Sequence, residues 1–138
     1  MIISWLHRKY RDLIHPYYLN GCAELISTKD KILDIGCGQG LFAEYLARKF
    51  GAEVIGVDLV QPSRIRVPFI CCDASSLPFS DHVFDQVMLV WVLHHSSQPQ
   101  DLLKEAARVT RKYIFVYEDL NDGFISRIAT GAHGLAWR

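Results

Sequence analysis

Apolar residues in this chain follow two patterns that alternate along its length. Nearly continuous apolar runs predict buried strands at 31–35, 54–58, 68–72, 84–93 and 113–117. Apolar residues spaced three and four positions apart predict amphipathic helices at 41–50 and 97–109. Strands that are apolar on both sides and alternate with helices are typical of a parallel sheet with helices on both faces. The pattern therefore predicts an α/β fold with a doubly wound parallel sheet of about five strands.

The N-terminal residues form a separate helical pattern. Apolar spacing over 2–17 predicts an amphipathic helix that Pro16 ends or bends, and residues 18–26 can form a second helix. We expect residues 1–30 to form a helical cap. The cap either covers the sheet or closes over a ligand as a lid, and the sequence leaves both roles open.

The C-terminal residues show a weaker helical pattern. Residues 120–138 have apolar residues at helical spacing, but Gly131 and Gly134 lower the helix propensity. The predicted organisation is thus a single domain, 1–138, in which residues 31–119 form the core between the N-terminal cap and this C-terminal segment. We expect the C-terminal segment to be incomplete.

The first predicted strand leads directly into a glycine-rich turn. Gly36, Gly38 and Gly40 allow the backbone to bend with no Cβ in the way of a ligand, and the helix at 41–50 presents its free N–H groups to that turn. The third glycine comes one residue too early for the dinucleotide fingerprint. Asp34 would also repel a pyrophosphate. These features disfavour a nicotinamide oxidoreductase and favour a ligand with an ammonium group, such as S-adenosylmethionine.

A second carboxylate follows the second predicted strand. Asp58 lies 18 residues beyond Gly40, close to the spacing at which an acidic residue meets a ribose in nucleotide-binding βαβ units. A carboxylate supplies two acceptor oxygens for two vicinal hydroxyl groups. The alternative is that Asp58 caps the N-terminus of a following helix.

Composition and charge limit the classes of partner. Lysine plus arginine and aspartate plus glutamate number 15 each, so no overall field draws the chain to nucleic acid or to an anionic membrane. No apolar run approaches the roughly 20 residues of a membrane span, and residues 1–10 lack the apolar core of a signal peptide. The cysteines show no C-x-x-C spacing, so we expect reduced thiols, with Cys71 and Cys72 as small core residues. We therefore expect a cytoplasmic protein.

Four sequence blocks resemble a known family. They are L-D-I-G-C-G-Q-G at 33–40, V-I-G-V-D-L at 54–59, C-D-A-S-S-L-P-F at 72–79 and F-D-Q-V-M-L-V-W-V-L-H-H at 84–95. In this order they resemble the class I S-adenosylmethionine-dependent methyltransferases, and within them the type 11 branch that includes quinone-biosynthesis methyltransferases. The resemblance covers residues 31–119. It implies a Rossmann-like sheet, S-adenosyl-L-methionine as cofactor and methyl transfer as the reaction.

The resemblance also implies a sheet edge that this chain leaves open. Family members add a sixth and a seventh strand as an antiparallel hairpin, and no segment here can supply them. The strand at 113–117 would then be an unpaired edge. Either the chain is incomplete, or a second copy or a partner chain pairs with that edge.

The resemblance implies a cofactor site at the carboxyl ends of the strands. Its residues would be Asp34, Gly36, Cys37, Gly38, Gly40, Asp58, Leu59, Asp73, Ala74, Leu89 and Val90. Asp34 would hold the ammonium group, Asp58 the ribose, and Asp73 with its neighbour would flank the adenine. Leu89 and Val90 would contact the methionine part through their backbone.

Two histidines follow the fourth predicted strand on the ligand side of the sheet. His94 or His95 could act as general base on an acceptor hydroxyl group, because an unperturbed histidine titrates near neutrality. Alternatively, one is a structural histidine and the other is solvated. Two adjacent histidines without a third ligand do not make a metal site. Glu118, after the last strand, either lines the acceptor side or is solvated.

The methyl acceptor is the least determined part of the prediction. Relatives that methylate an amino nitrogen commonly carry an Asn/Asp-Pro-Pro-aromatic motif after the fourth strand, and residues 89–92 do not match it. Together with the balanced charge, this favours a small molecule over nucleic acid, and we prefer O- or C-methylation of a lipophilic or quinone-like acceptor. The rival hypothesis is a non-catalytic cofactor-binding partner subunit, or a truncated fragment, motivated by the missing strands and the apolar residues Leu89 and Val90.

Overall fold

The computed structural model describes residues 16–19 and 21–118. Most of the helix predicted at 2–17 and the whole segment predicted at 120–138 lie outside the described residues. After the helical residues 16–18, the described residues form five strands and two longer helices, in the order β1 (Lys31–Ile35), α1 (Leu41–Phe50), β2 (Glu53–Asp58), β3 (Phe69–Cys71), β4 (Phe84–Val90), α2 (Pro99–Val109) and β5 (Thr110–Tyr117). Short 3-10 helices at Ala23–Leu25 and Leu93–His95 complete this part of the chain.

All strand pairs in the sheet are parallel, and the strand order is β3-β2-β1-β4-β5. In β1, Ile35 is paired with Val57 of β2 on one side and with Leu89 of β4 on the other. The carboxyl ends of the three central strands therefore meet. Because the chain runs outward from β1 in opposite directions, this is the switch point at which doubly wound sheets bind ligands. The predicted fold class is confirmed.

Each face of the sheet carries its own apolar core. Alternate residues of β1 and β4 point to opposite faces, so Ile32 and Met88 pack with Phe42 and Leu46 of α1. On the other face the buried residues come from three strands and from α2, and they include Leu33, Val57, Val87, Leu89, Leu102, Ala106 and Val109. Neither α1 nor α2 exceeds 11 residues. In the described part of the chain no helix has both the length and the apolarity to cross a membrane.

Three predicted elements differ from the structure by more than two residues. Among the described residues of 18–26, residue 18 belongs to the helical residues 16–18, and the short helix Ala23–Leu25 stands in place of a full second helix. β5 begins at Thr110, directly after α2, and not at residue 113 as predicted. Thr110 ends the helix in extended backbone, and its hydroxyl group donates to the carbonyl of Ala106, 2.5 Å away. β4 ends at Val90, and the remaining predicted residues leave the sheet.

A buried polar network lies at the amino end of the sheet. Asp30 is 5% exposed, and its Oδ2 accepts hydrogen bonds from the Ser27 N–H and from Gln86 Nε2, each at 2.8 Å. Gln86, which is fully buried in β4, also donates to the carbonyl of Leu25 at 2.8 Å. Lys112 Nζ lies 3.3 Å from the other oxygen of Asp30. The network ties the segment before β1 to the two strands β4 and β5.

Candidate active site

The glycine turn after β1 is closed at one point and open at another. Gly36 has a left-handed backbone, with φ of 69°, and a Cβ placed on it would overlap the side chain of Val92. Gly38 is also left-handed, with φ of 53°, but a Cβ there would meet no atom within 4 Å. Gly40 caps α1. The backbone around Gly38 is therefore the exposed part of the turn that a ligand can approach.

Asp34 lies beneath this turn with only 2% of its surface exposed. The N–H group of Ala43, in the first turn of α1, bonds to its carboxylate, but its Oδ2 has no hydrogen-bond partner among the described residues. Burial, and secondarily the carboxylate of Asp58, raise the pKa of Asp34 to about 7. A buried carboxylate with an unsatisfied oxygen favours a cationic ligand.

Asp58 links the end of β2 to the glycine turn. Its Oδ2 accepts a hydrogen bond from the Gly38 N–H at 2.8 Å, and its Oδ1 accepts one from the Val60 N–H at 3.2 Å. No helix lies between β2 and β3, so the alternative role as a helix N-cap is wrong. A carboxylate offers about four lone-pair positions, so capacity remains for hydroxyl donors. The adjacent side chain of Leu59 is 70% exposed and forms an apolar surface beside it.

Asp73 and Ala74 follow β3, the next strand along the sheet edge. The exposed carboxylate of Asp73 accepts a hydrogen bond from the Ser75 N–H at 2.9 Å, and the bonds from Ser75 lower the pKa of Asp73 below its ordinary value. Ala74 is partly buried against the core that α2 covers. The three predicted carboxylates thus lie at the ends of three neighbouring strands.

Three other predicted cofactor residues have side chains that belong to the fold. Leu89 is fully buried in the core on the α2 face, while Val90 packs toward α1. The Cys37 thiol packs against Gly56, and its N–H donates to the carbonyl of Val57 at 3.1 Å. Burial and the carboxylates of Asp34 and Asp58 raise the pKa of Cys37 to about 12. Cys37 is therefore a neutral residue that shapes the turn, and Leu89 can offer only its backbone.

The loop after β4 brings His94 onto a carboxylate. His94 Nδ1 lies 2.6 Å from Glu118 Oε2, and Glu118 Oε1 accepts hydrogen bonds from the Val92 and Leu93 N–H groups at 2.9 and 2.6 Å. The ring of His95 lies 4.0 Å from that of His94, centroid to centroid. The sequence left open whether Glu118 lines the acceptor side or is solvated. Its position directly after β5, the strand next to β4, is the sequence feature that points to a contact with the loop after β4.

An aromatic cluster lies beside this loop. The Tyr18 ring is 5.2 Å from the Trp91 ring and 4.7 Å from the Tyr117 ring. Beneath it, a cavity of about 340 Å³ opens between α1 and the strands β4 and β5. Its lining contains both apolar and polar atoms and consists of Tyr18, Cys22, Phe42, Met88, Val90 and residues 114–117.

Comparison with known proteins assigns this chain to a family. A family described as a methyltransferase domain matches residues 33–115, which is more than half of the chain. The chain belongs to this methyltransferase family. The match contains β1 with its glycine turn, β2, β3 and β4 with the histidine loop, and it confirms the resemblance to class I methyltransferases of type 11.

Named relatives of this methyltransferase domain include two enzymes of quinone biosynthesis. The demethylmenaquinone methyltransferase of Corynebacterium urealyticum is 38% identical over 91 residues, which cover 62% of this chain and 39% of the relative. The ubiquinone biosynthesis O-methyltransferase of Coxiella burnetii is 32% identical over 111 residues, which cover 72% of this chain and 47% of the relative. The chain therefore spans less than half the length of these relatives.

A solved structure shows the same fold. The methyltransferase domain superposes on a protein from Pyrococcus horikoshii with a TM-score of 0.64 at 28% identity, covering 76% of this chain and 53% of that chain.

S-adenosylmethionine is the cofactor of this methyltransferase family, and the residues present fit it. Asp34 supplies an unsatisfied buried oxygen for an ammonium group, and the backbone at Gly38 is open to a ligand. Asp58 supplies acceptor oxygens beside an exposed apolar side chain, at the end of the next strand. The carboxylates of Asp34 and Asp58 would repel a phosphate in this crevice.

Proposed function

We propose that the protein transfers the methyl group of S-adenosylmethionine to a hydroxyl oxygen of a small, lipophilic acceptor. The observation that carries this proposal is the contact between His94 Nδ1 and Glu118 Oε2, at 2.6 Å, where β4 and β5 end at the ligand crevice. Removing a proton from a hydroxyl group needs such a base. The name of the O-methyltransferase from Coxiella burnetii supports the same type of acceptor atom.

The residues of the first three strands would hold the cofactor. Asp34 would pair with the ammonium group, Asp58 would accept hydrogen bonds from the ribose hydroxyl groups, and Asp73 with Ala74 would flank the adenine. When bound, the cofactor supplies a methyl group already activated by the sulfonium. The protein therefore contributes mainly by placing the acceptor in line with that methyl group, a role that is worth up to roughly 7 to 11 kcal/mol for well-oriented reactants.

His94 would act as the general base. Glu118 accepts a hydrogen bond from Nδ1–H of His94, which leaves the lone pair of Nε2 free to take the proton of the acceptor hydroxyl group. An ionised carboxylate can only accept hydrogen bonds, so the contact with Glu118 requires the proton of the neutral imidazole to be on Nδ1. The same carboxylate then stabilises the imidazolium that forms.

A cavity near the ends of β4 and β5 supports a lipophilic acceptor. Aromatic and aliphatic side chains contribute to its lining, among them Tyr18, Phe42 and Tyr117, together with polar atoms. Such side chains favour binding of an apolar part of a ligand. The balanced charge of the chain offers no overall attraction for nucleic acid.

A binding and turnover experiment tests the proposed function. Calorimetry measures the affinity for S-adenosylmethionine, and transfer of a labelled methyl group is followed over a panel of phenols, catechols, quinols and aliphatic alcohols. We expect micromolar binding and turnover on at least one hydroxyl compound. His94→Ala should lower kcat by roughly 10²- to 10⁴-fold without changing the cofactor affinity, since general base catalysis contributes about that much.

The controls separate the rival hypotheses. Asp58→Ala should weaken S-adenosylmethionine by about 1 to 3 kcal/mol, the cost of leaving polar groups unpaired. Binding without turnover on any acceptor would favour the non-catalytic partner subunit. Turnover that His94→Ala leaves unchanged would remove the base from the mechanism.

A further inference from the structure

Trp91, the first residue after β4, has a backbone conformation that bulky side chains rarely adopt. Its φ is +54°, in the left-handed region, whereas the next residue, Val92, is right-handed with φ of −115° and ψ of −33°. For a residue as large as tryptophan this is an outlier, and such outliers persist only where the surrounding structure holds them.

The two opposite backbone conformations point three successive N–H groups toward the end of β5. The Trp91 N–H donates to the carbonyl of Tyr117 at 2.8 Å, and the Val92 and Leu93 N–H groups both donate to Glu118 Oε1. Consecutive N–H groups in such alternating conformations form a concave site for an anion, known as a nest. Here the anion is the side chain of Glu118.

The other oxygen of the same carboxylate is the one that contacts His94. With Oε1 held by two backbone N–H groups, Glu118 has little freedom to rotate, and its Oε2 stays 2.6 Å from His94 Nδ1. The orientation of the histidine thus depends on the shape of the backbone at Trp91.

We propose that Trp91 is a positioning residue, whose left-handed backbone forms the N–H nest that holds Glu118 and thereby keeps His94 in the Nδ1–H tautomer with Nε2 free. The value of this arrangement for catalysis rests on the proposed function, but the arrangement itself does not. The packing of the Trp91 ring against Tyr18 and Tyr117, at 5.2 and 6.2 Å between ring centroids, stabilises the strained backbone.

The experiment reads the tautomer directly. Long-range ¹H–¹⁵N spectra of the imidazole rings, taken without cofactor or acceptor at a pH where the ring is neutral, distinguish the two tautomers, and His94→Gln assigns the His94 signals. Trp91→Asn and Trp91→Gly keep a backbone that accepts positive φ but lack the large ring. Trp91→Val introduces a β-branched residue that disfavours positive φ. Lys29→Val is the matched control, because Lys29 has φ of 75° in an exposed turn far along the chain.

We expect the Nδ1–H tautomer to predominate at His94 in the wild type, in Trp91→Asn, in Trp91→Gly and in Lys29→Val. Trp91→Val should turn it into the minor form. The proposal is overturned if Trp91→Val keeps the wild-type tautomer. It is also overturned if Trp91→Asn and Trp91→Gly lose that tautomer as well. If Trp91→Val fails to fold, Glu118→Gln serves instead: it keeps the nest occupied, and an unchanged tautomer would equally overturn the proposal. Because no substrate is present, a failed turnover assay cannot be confused with a failure here.

Discussion

At the residue scale, Asp34 has a role in cation binding that the sequence predicts and a cost of burial that only the structure reveals. Its position at the end of β1 predicts contact with a cation, but in the fold it is buried with one oxygen unsatisfied. In the absence of a cation, burial favours the protonated carboxyl group, which is why its pKa rises to about 7. The site is therefore strained electrostatically until a positive group arrives.

This strain predicts a pH dependence of stability. The pKa of the Asp34 carboxyl group is 3.8 in the unfolded chain and rises to about 7 in the folded, ligand-free protein. Between these values the folded state binds the proton more tightly, so the free energy of unfolding falls as pH rises, by at most about 4 kcal/mol. Thermal unfolding of the wild type should thus occur at a lower temperature at pH 8 than at pH 5, and Asp34→Asn should remove most of that difference.

The matched control is Asp73→Asn, which changes an exposed carboxylate of the same crevice. It should leave the pH dependence in place. Affinity for S-adenosylmethionine should show the opposite trend and increase with pH up to about 7, because the ammonium group requires the ionised carboxylate. An Asp34→Asn variant with the wild-type pH profile would show that Asp34 is already ionised in the ligand-free protein.

At the scale of elements, the turn after β1 and the loop after β4 are shaped against each other. A side chain on Gly36 would occupy the space of Val92. Gly36→Ala should therefore destabilise the fold by about 1 to 3 kcal/mol through overpacking, in addition to the cost of placing alanine in a left-handed backbone. Val92→Ala should recover only part of the overpacking, because it removes the two Cγ atoms but leaves the Cβ of residue 92 at 2.9 Å from the added Cβ. Urea unfolding of the two single variants and the double variant measures this coupling.

Gly38→Ala measures how much stability is lost by placing alanine in a left-handed backbone without overpacking. It has the same left-handed conformation as Gly36, but its Cβ would meet no neighbour within 4 Å. Equal losses in Gly36→Ala and Gly38→Ala, with no recovery in the double variant, would mean that the two loops do not constrain each other.

The polar network at the opposite end of the sheet links elements in the same way. Gln86→Leu keeps the residue's approximate size but removes both donors, leaving the Leu25 carbonyl unpaired and Asp30 with one bond fewer. We expect a loss of about 1 to 3 kcal/mol in the free energy of unfolding, measured by urea titration. Gln100→Leu, on the exposed surface of α2, is the control and should have little effect. A neutral result for Gln86→Leu would mean that removing the buried Oε1 of Gln86, which has no partner among the described residues, offsets the lost hydrogen bonds.

At the scale of the whole molecule, β5 is one of the two outer strands of the described sheet, with β3 at the other edge. An outer strand exposes unpaired backbone groups that can pair with another chain. We expect concentration-dependent self-association, measured by light scattering, and Val116→Lys should reduce it. Val116 is half exposed on this strand. Leu25→Lys replaces an exposed apolar residue away from β5, and it should leave self-association unchanged. A monomer at all concentrations would exclude pairing between copies through this edge.

The fold could be predicted because its signals are local. Apolar spacing places β1 and α1 within a residue, since strand and helix periods are expressed over consecutive positions. The boundary of β5 could not be predicted in this way. It depends on Thr110 bonding back to Ala106 and on its contact with His82, and neither contact is visible in a run of apolar residues.

In the candidate site, too, local features could be predicted from the sequence, and contacts between distant segments could not. The sequence alone determined the glycine turn and the order of Asp34, Asp58 and Asp73, because each follows its own strand and parallel strands end at one edge. Only the tertiary structure decided that Glu118 meets His94 and that Val92 closes on Gly36. Those pairs are far apart in the chain, and they meet because β4 lies between β1 and β5, an arrangement set by packing of the whole sheet rather than by any single segment.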